Sequence, residues 1–422
     1  MAKVHWVILF LFGLIEFIGG SRVLELSDRF LDVKKDGHWL IMFYAPWCGH
    51  CKRLEPVWAH VAQTLYNTNI RVGRIDCTRF TNMATEFAVS GFPTIMFLKG
   101  DVAKYVFRGD RTKEEIINFA MRVSGPPVQA ITKPESLDTL KSSNPLFFVY
   151  VGQYEGPLWT IYYDVAEKFQ PHGFFYSTSH SISRPYIHLR DSPAIFVFKE
   201  NSHYYFNGED KSWNELNSSL TSWVNTERFS TFVKVTRGNI HQILQTNKFL
   251  VLAVVQENKL QEVPDEMIEF RDMIESVIKN NREKYHEWFQ FGWVGSPELA
   301  NSIAMTELPL PYLIVVNSTT NHHHVPDDDP QRLTPEAVQL FLESVRNQSA
   351  AAYGGNTLPV RMYRTYFEAR TSLVEMWKGN PVLTSVLFGL PLGFLSLICY
   401  SICCSDIMDA DDEEDTSHEK KE

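Results

Sequence analysis

The stretch Ala45-Pro46-Trp47-Cys48-Gly49-His50-Cys51-Lys52 decides how the chain is read. It sets two thiols three positions apart, after an apolar run and ahead of a helix-like pattern. A pair so spaced is a redox site or half of a metal site. Upstream, Trp39–Tyr44 reads as a buried strand; downstream, Leu54, Val57, Trp58, Val61 and Leu65 recur at helical spacing. Cys48 therefore stands at a helix N-terminus, where backbone N–H groups lack partners and the dipole favours an anion. A thiol there becomes more acidic: at an ordinary pKa of about 8.5 it is a few per cent thiolate near neutrality, and below about 6 it is mostly thiolate. Cys51 lies on the same side of the first turn. Cys48, exposed at the turn, is expected to attack, and Cys51, tucked behind it, to resolve the mixed disulfide. His50, if charged, would favour the Cys48 thiolate and make the pair a better oxidant. Pro56 is expected to kink the helix.

The chain has 422 residues, enough for about three domains. Its net charge is −10, but Ser405–Glu422 holds nine acids and two lysines, which leaves the remainder near −3. No basic field speaks for nucleic acid. Of six cysteines, Cys48 and Cys51 form the only close pair before the C-terminal end, Cys77 is alone, and Cys399, Cys403 and Cys404 end an apolar run. With no second CxxC to complete a four-thiolate site, no metal is expected. A disulfide inside so short a loop is a poor structural staple, which favours redox use. Cys77 reads as a buried core thiol.

Residues 1–21 read as a secretory signal: Lys3, an apolar centre at Val7–Ile15, then Gly19-Gly20-Ser21. Residues 381–404 form an uncharged apolar run long enough to cross a bilayer, with Pro391 in its middle. Signal and span together predict a type I membrane protein with residues 22–380 in the lumen and an acidic, disordered tail, 405–422, in the cytosol. Cys403 and Cys404 are acylation candidates at the cytosolic boundary. Asn217, Asn317 and Asn347 open sequons in the lumenal part. His322-His323-His324 with Asp327-Asp328-Asp329 reads as a solvated hairpin loop.

Between signal and span an internal repeat organises the chain. Three times a strand-like run is followed by a helix-like stretch, a second strand, and a third strand opened by a proline. The first strands are Trp39–Tyr44, Leu146–Val151 and Phe249–Val255; the second are Arg71–Asp76, Gly173–Tyr176 and Phe289–Val294; Pro93, Pro193 and Pro311 open the third. This alternation predicts an α/β class with helices flanking a mixed sheet. Proline at a strand start needs a special position, of which a cis bond is one. Boundaries are expected near Gly125-Pro126-Pro127 and Glu227–Ser230, giving units 22–125, 126–228 and 229–349 and a stalk at 350–380.

Trp47-Cys48-Gly49-His50-Cys51-Lys52, Gly91-Phe92-Pro93-Thr94 and Gly109-Asp110-Arg111 together resemble the catalytic a-type thioredoxin domain of the protein disulfide isomerase family. Two cysteine-free repeats and a single span resemble its thioredoxin-related transmembrane members. The resemblance implies three tandem thioredoxin-like domains, a-type then two b-type, and an enzyme that exchanges disulfides with folding secretory and membrane proteins in the endoplasmic reticulum. It implies a redox-active Cys48–Cys51 disulfide and no cofactor beyond it, with glutathione or a protein partner exchanging electrons. Pro93 would be the cis-proline packed on the sulfurs and Arg111 the arginine that lowers the Cys51 pKa. A client-binding protein or a redox sensor is the alternative. Two departures stand out. Met42 occupies the place of a buried acid six residues before the first cysteine, with Met96 expected at its lysine partner's place. Lys420 lacks the second lysine of a dilysine retrieval signal, since Glu419 and His418 precede it.

Overall fold

The structure is a computed structural model that describes residues 22–184, 193–208, 212–258 and 260–414. The predicted signal, residues 185–192 before Pro193 and the end of the tail lie outside the described residues.

The run His-Trp-Leu-Ile-Met-Phe-Tyr has too few polar positions for a half-solvated strand, so it must be covered on both faces. It forms β2 (His38–Tyr44), central in a sheet with β1 (Leu24–Leu26), β3 (Ile70–Asp76), β4 (Thr94–Lys99) and β5 (Ala103–Val106), in the order β1-β3-β2-β4-β5. β3 runs parallel to β2 and β4 antiparallel. The helices Gly49–Leu65 and Lys113–Ser124 cover one face, burying Leu54, Trp58, Val61, Ile116 and Phe119 against Leu40 and Met42. The short helices Phe30–Val33 and Thr81–Glu86 cover the other, where Phe30, Trp39, Phe43, Met83 and Met96 pack.

The same plan recurs twice. β6 (Gln129–Ala130), β7 (Leu146–Val151), β8 (Phe175–Thr178), β9 (Ala194–Lys199) and β10 (Ser202–Tyr205) are ordered β10-β9-β7-β8-β6. β11 (Phe232–Lys234), β12 (Phe249–Val254), β13 (Phe289–Val294), β14 (Tyr312–Asn317), β15 (His322–His324) and β16 (Tyr353–Gly354) follow in the order β11-β13-β12-β14-β15-β16. In each sheet a buried middle strand pairs parallel on one side and antiparallel on the other. The second strand of the middle sheet starts at Phe175 rather than Gly173, because Gly173 still caps the helix before it through a bond to the Phe169 carbonyl.

Three expectations are corrected here. His322–His324 is not a solvated loop: it is strand β15, with His323 and His324 buried between β14 and β16. Because β16 pairs with β15, the third sheet runs past residue 349, where the stalk was expected to begin. The stalk itself is a helix, Leu358–Gly379, and the helix that follows, Pro381–Glu414, continues beyond the apolar run into the acidic segment. Once nucleated, a helix adds residues at little cost, and Asp and Glu do not stop it. Within it Pro381–Ile402 is long and apolar enough to cross a membrane.

The units are tied to one another by polar contacts. Thr236 Oγ1 donates to Asp110 Oδ1 at 2.7 Å between the third and first. Gln170 Nε2 donates to the Arg122 carbonyl at 2.8 Å between the second and first. Between the second and third, Glu227 is buried among Lys199 (2.8 Å), Arg282 (3.0 Å) and His286 (2.5 Å).

Candidate active site

The loop after β2 delivers the dithiol to the start of the helix Gly49–Leu65. Cys48 is its N-cap, in an extended conformation, and the Cys48 sulfur accepts a hydrogen bond from the Cys51 backbone N–H at 3.2 Å. The Cys48 carbonyl accepts from Cys51 and Lys52 N–H, both at 3.1 Å. No acidic residue stands in the first turn, so nothing on the helix competes for its positive end. Cys48 and Cys51 are joined as a disulfide, with Cα atoms 5.3 Å apart.

Both sulfurs lie under cover. Cys51 is 1% exposed and Cys48 7%, so Cys48 is less open than the sequence reading expects. Ala45, Tyr44 and Phe92 pack around the pair. The exposed group is Trp47, at 74%, which meets Phe92 edge-on at 6.3 Å. A Cβ built on Gly49 or Gly91 would meet nothing within 4 Å. The dithiol is therefore rimmed by an open aromatic shelf, with room for a side chain at Gly49 and at Gly91.

The Phe92–Pro93 bond is cis, as is Leu310–Pro311 at the matching place in the third unit. Pro93 is buried beside the thiols' loop, and its carbonyl accepts from Arg111 Nη2 at 3.2 Å. Arg111 thus stands over the cis-proline. The helix continues through Pro56 from Gly49 to Leu65.

Two residues that sequence reasoning passed over shape the charges. Arg53 Nη2 lies 2.9 Å from His50 Nδ1. A guanidinium has no acceptor, so in this contact it is the donor and the ring the acceptor. The spacing of three between Arg53 and His50 on a helix was the available signal.

The second is Arg74. The sequence reading pairs Met42 with Met96 as the remnant of a buried charge pair, and the register rules this out. Met42 is opposite Ile95, and Met96 is opposite Ile41. Adjacent strand residues point to opposite faces, so Met42 sits under the active-site helix while Met96 packs on the far side with Phe30 and Met83. The residue beside Met42 on the other neighbouring strand is Arg74, which pairs with Glu25 on β1 and with Glu55 of the active-site helix, the latter at 3.2 Å. The cation of this region is present, and its carboxylates come from positions other than 42.

Cys77 packs on the far face with Ile41, Phe43 and Met96. Burial, with Asp76 beside it, pushes its thiol up to about 11. It is a core thiol, as expected. Of the sequons, Asn217 lies inside the helix Trp213–Glu227, Asn317 binds the Thr319 and Thr320 N–H groups (2.9 and 3.2 Å), and Asn347 is exposed at a helix end. The Cys403 and Cys404 side chains lie outside the described residues. Among the described residues no cluster of three metal-ligating side chains occurs.

A dithiol capping a helix on a mixed sheet, with a cis-proline beside it, defines a thioredoxin-like thiol-disulfide oxidoreductase. The Thioredoxin family model matches residues 25–122, and a Thioredoxin-like domain model matches 151–344. The chain is 37% identical to the Protein disulfide-isomerase TMX3 of Xenopus laevis over 395 residues, covering 93% of this chain and 84% of that one. It is 34% and 33% identical to the proteins of that name from Mus musculus and Homo sapiens, each over 91% of this chain and 82% of the relative. The chain belongs to the protein disulfide isomerase family, and its apolar C-terminal helix makes it a membrane-anchored member.

Proposed function

We propose that the chain is a type I protein of the endoplasmic reticulum membrane, with three tandem thioredoxin-like domains in the lumen, of which only the first carries chemistry. The observation that carries the reading is the Cys48–Cys51 pair at an uncompensated helix N-terminus beside cis-Pro93. In reduction, the Cys48 thiolate attacks a client disulfide, forming a mixed disulfide and releasing one client thiolate. Cys51, losing its proton, then attacks Cys48 and releases the second client thiolate, leaving Cys48–Cys51 oxidised. In oxidation the same steps run backwards, and two electrons pass from client to protein. After a client is reduced, glutathione or a protein dithiol reduces the pair again; after a client is oxidised, glutathione disulfide or a protein disulfide reoxidises it. Trp47 and Phe92 form the shelf on which the client lies, and Gly49 leaves it room. Pro93 orients the client backbone, and Arg111, already above Pro93, swings to the Cys51 side when that thiol must ionise.

Clients are cysteine-bearing chains of the secretory pathway. The test is a Cys51→Ala variant in the full chain: it should accumulate mixed disulfides through Cys48 that dithiothreitol releases, and a Cys48→Ser, Cys51→Ala variant should capture none. Equal capture by both would sink the enzymatic reading and favour a client-binding protein. Of the sequons, Asn347 is the one presented for a glycan. An Asn347→Gln variant expressed in a secretory host should lose one endoglycosidase-sensitive mass step.

A further inference from the structure

The helix Leu358–Gly379 has three unlike sides. Phe367 is the one side chain it buries, and the helix meets the helix Pro297–Ala304 of the third unit. Arg361, Arg364, Glu368, Glu375 and Lys378 share a polar side. Leu358, Met362, Tyr366, Leu373 and Trp377 fall on one arc of about 100° and are 70%, 67%, 62%, 43% and 55% exposed. A stripe of large apolar and aromatic groups about five turns long does not stay in water without a partner.

The junction with the next helix says what covers it. Asn380 is the single residue between them. Its N–H bonds the Met376 carbonyl at 2.9 Å, closing the first helix, while its Oδ1 accepts from Leu383 N–H at 3.0 Å and its carbonyl from Thr384 N–H at 3.1 Å, opening the second. Its backbone is extended, so the helix breaks there and the two helices are separate rods. Pro381, the first residue of the second rod, begins the span. Trp377 is four positions from it and so is held at headgroup depth by covalent geometry. Tyr and Trp favour that depth, and Arg and Lys beside such a face reach outward to water and lipid phosphate.

We propose that Leu358–Gly379 lies along the bilayer surface, its Met362–Tyr366–Leu373–Trp377 stripe sunk among the headgroups, and so docks the third unit on the membrane. The proposal rests on reading Pro381–Ile402 as the span.

The test uses the full chain in phosphatidylcholine–phosphatidylglycerol vesicles whose acyl chains are brominated near the headgroup. Bromine quenches only tryptophans at that depth. The mature chain has nine tryptophans once Trp6 leaves with the signal. Because the span alone keeps Trp377 near the headgroups, the probe is moved to the far end of the stripe, Met362→Trp with Trp377→Phe. This variant should lose emission equal to about one tryptophan's share, and Trp377→Phe alone should lose none. Adding Tyr366→Ser and Leu373→Ser to the probe variant should reduce the quenching at least twofold. Flotation with the vesicles checks the span separately: a chain that fails to float overturns the span itself. If the chain floats but the Met362→Trp variant quenches no more than Trp377→Phe alone, the stripe is not in lipid. An emission that instead depends on the protein-to-lipid ratio, with no bromine effect, would assign the stripe to a second copy and equally overturn the proposal.

Discussion

At the scale of single residues, the site was legible where chemistry shows in the residue type, and illegible where it depends on facing. Cys48, Cys51 and Pro93 could be read directly. The surroundings of Met42 could not, because which strand residue faces it depends on register: the structure puts Arg74, not Met96, beside it. This changes the experiment. Met42→Glu alone restores an acid beneath the active-site helix with Arg74 as its neighbour, whereas adding Met96→Lys would bury a lone cation on the opposite face. Met42→Glu should speed release of the second client thiol at least about tenfold, below the usual gain from a positioned proton acceptor. Stopped-flow with a disulfide peptide measures it, and an unchanged rate would show that the pathway for the Cys51 proton does not pass through this position.

The elements were legible as far as their periodicity was. Long apolar strands such as His38–Tyr44 and Leu146–Val151 announce themselves, and so does a span. The stalk helix went unread because its apolar residues are spread round an amphipathic pattern rather than gathered in a run. β15 went unread because three histidines carry no strand signature; only pairing with β14 and β16 buries them. Burial also lowers His323 to about 4, with His324 and Arg364 adding to the effect, so its ring stays uncharged at neutral pH. The active-site helix invites a direct test of its dipole. Gly49 has open space for a side chain, and an acid in the first turn competes with the Cys48 thiolate. Gly49→Asp should cost the thiolate about 0.3–1 kcal/mol, raising the Cys48 pKa by about half a unit. The pH profile of Cys48 alkylation in a Cys51→Ala background reads it, and no displacement would mean that the helix end is not what activates the thiol.

On the scale of the whole molecule, the repeat and its boundaries were visible, but the joints were not. Glu227 marks one boundary in the sequence, and its partners lie 28 to 59 positions away. Burial alone would raise its carboxyl. The His286 hydrogen bond and the Lys199 and Arg282 charges outweigh that and hold it well below the usual range. Burial lowers His286 to about 4, against the pull of Glu227. Both shifts act in one direction. The unfolded chain takes up protons on these groups before the folded one does, so stability falls with pH, first from about 6.5 through His286 and then below about 4.3 through Glu227. Glu227→Gln leaves Lys199 and Arg282 uncompensated in the joint and should destabilise the chain by about 3–5 kcal/mol. Urea titrations followed by tryptophan emission at pH 7 and pH 5 measure both effects; a variant as stable as the wild type would make the joint dispensable.

The first sheet is also a partition between thiols. The exchanging pair lies on the side of the active-site helix, and Cys77 is shut in on the other, with about one molecule in ten thousand ionised at pH 7 for a thiol near 11. A third cysteine so close in sequence could otherwise capture Cys48 or Cys51 and stall the cycle in a dead-end bridge. Here the sheet denies it access and burial denies it nucleophilicity. Within the first unit the exchanging pair is thereby insulated from the one other sulfur that shares its sheet.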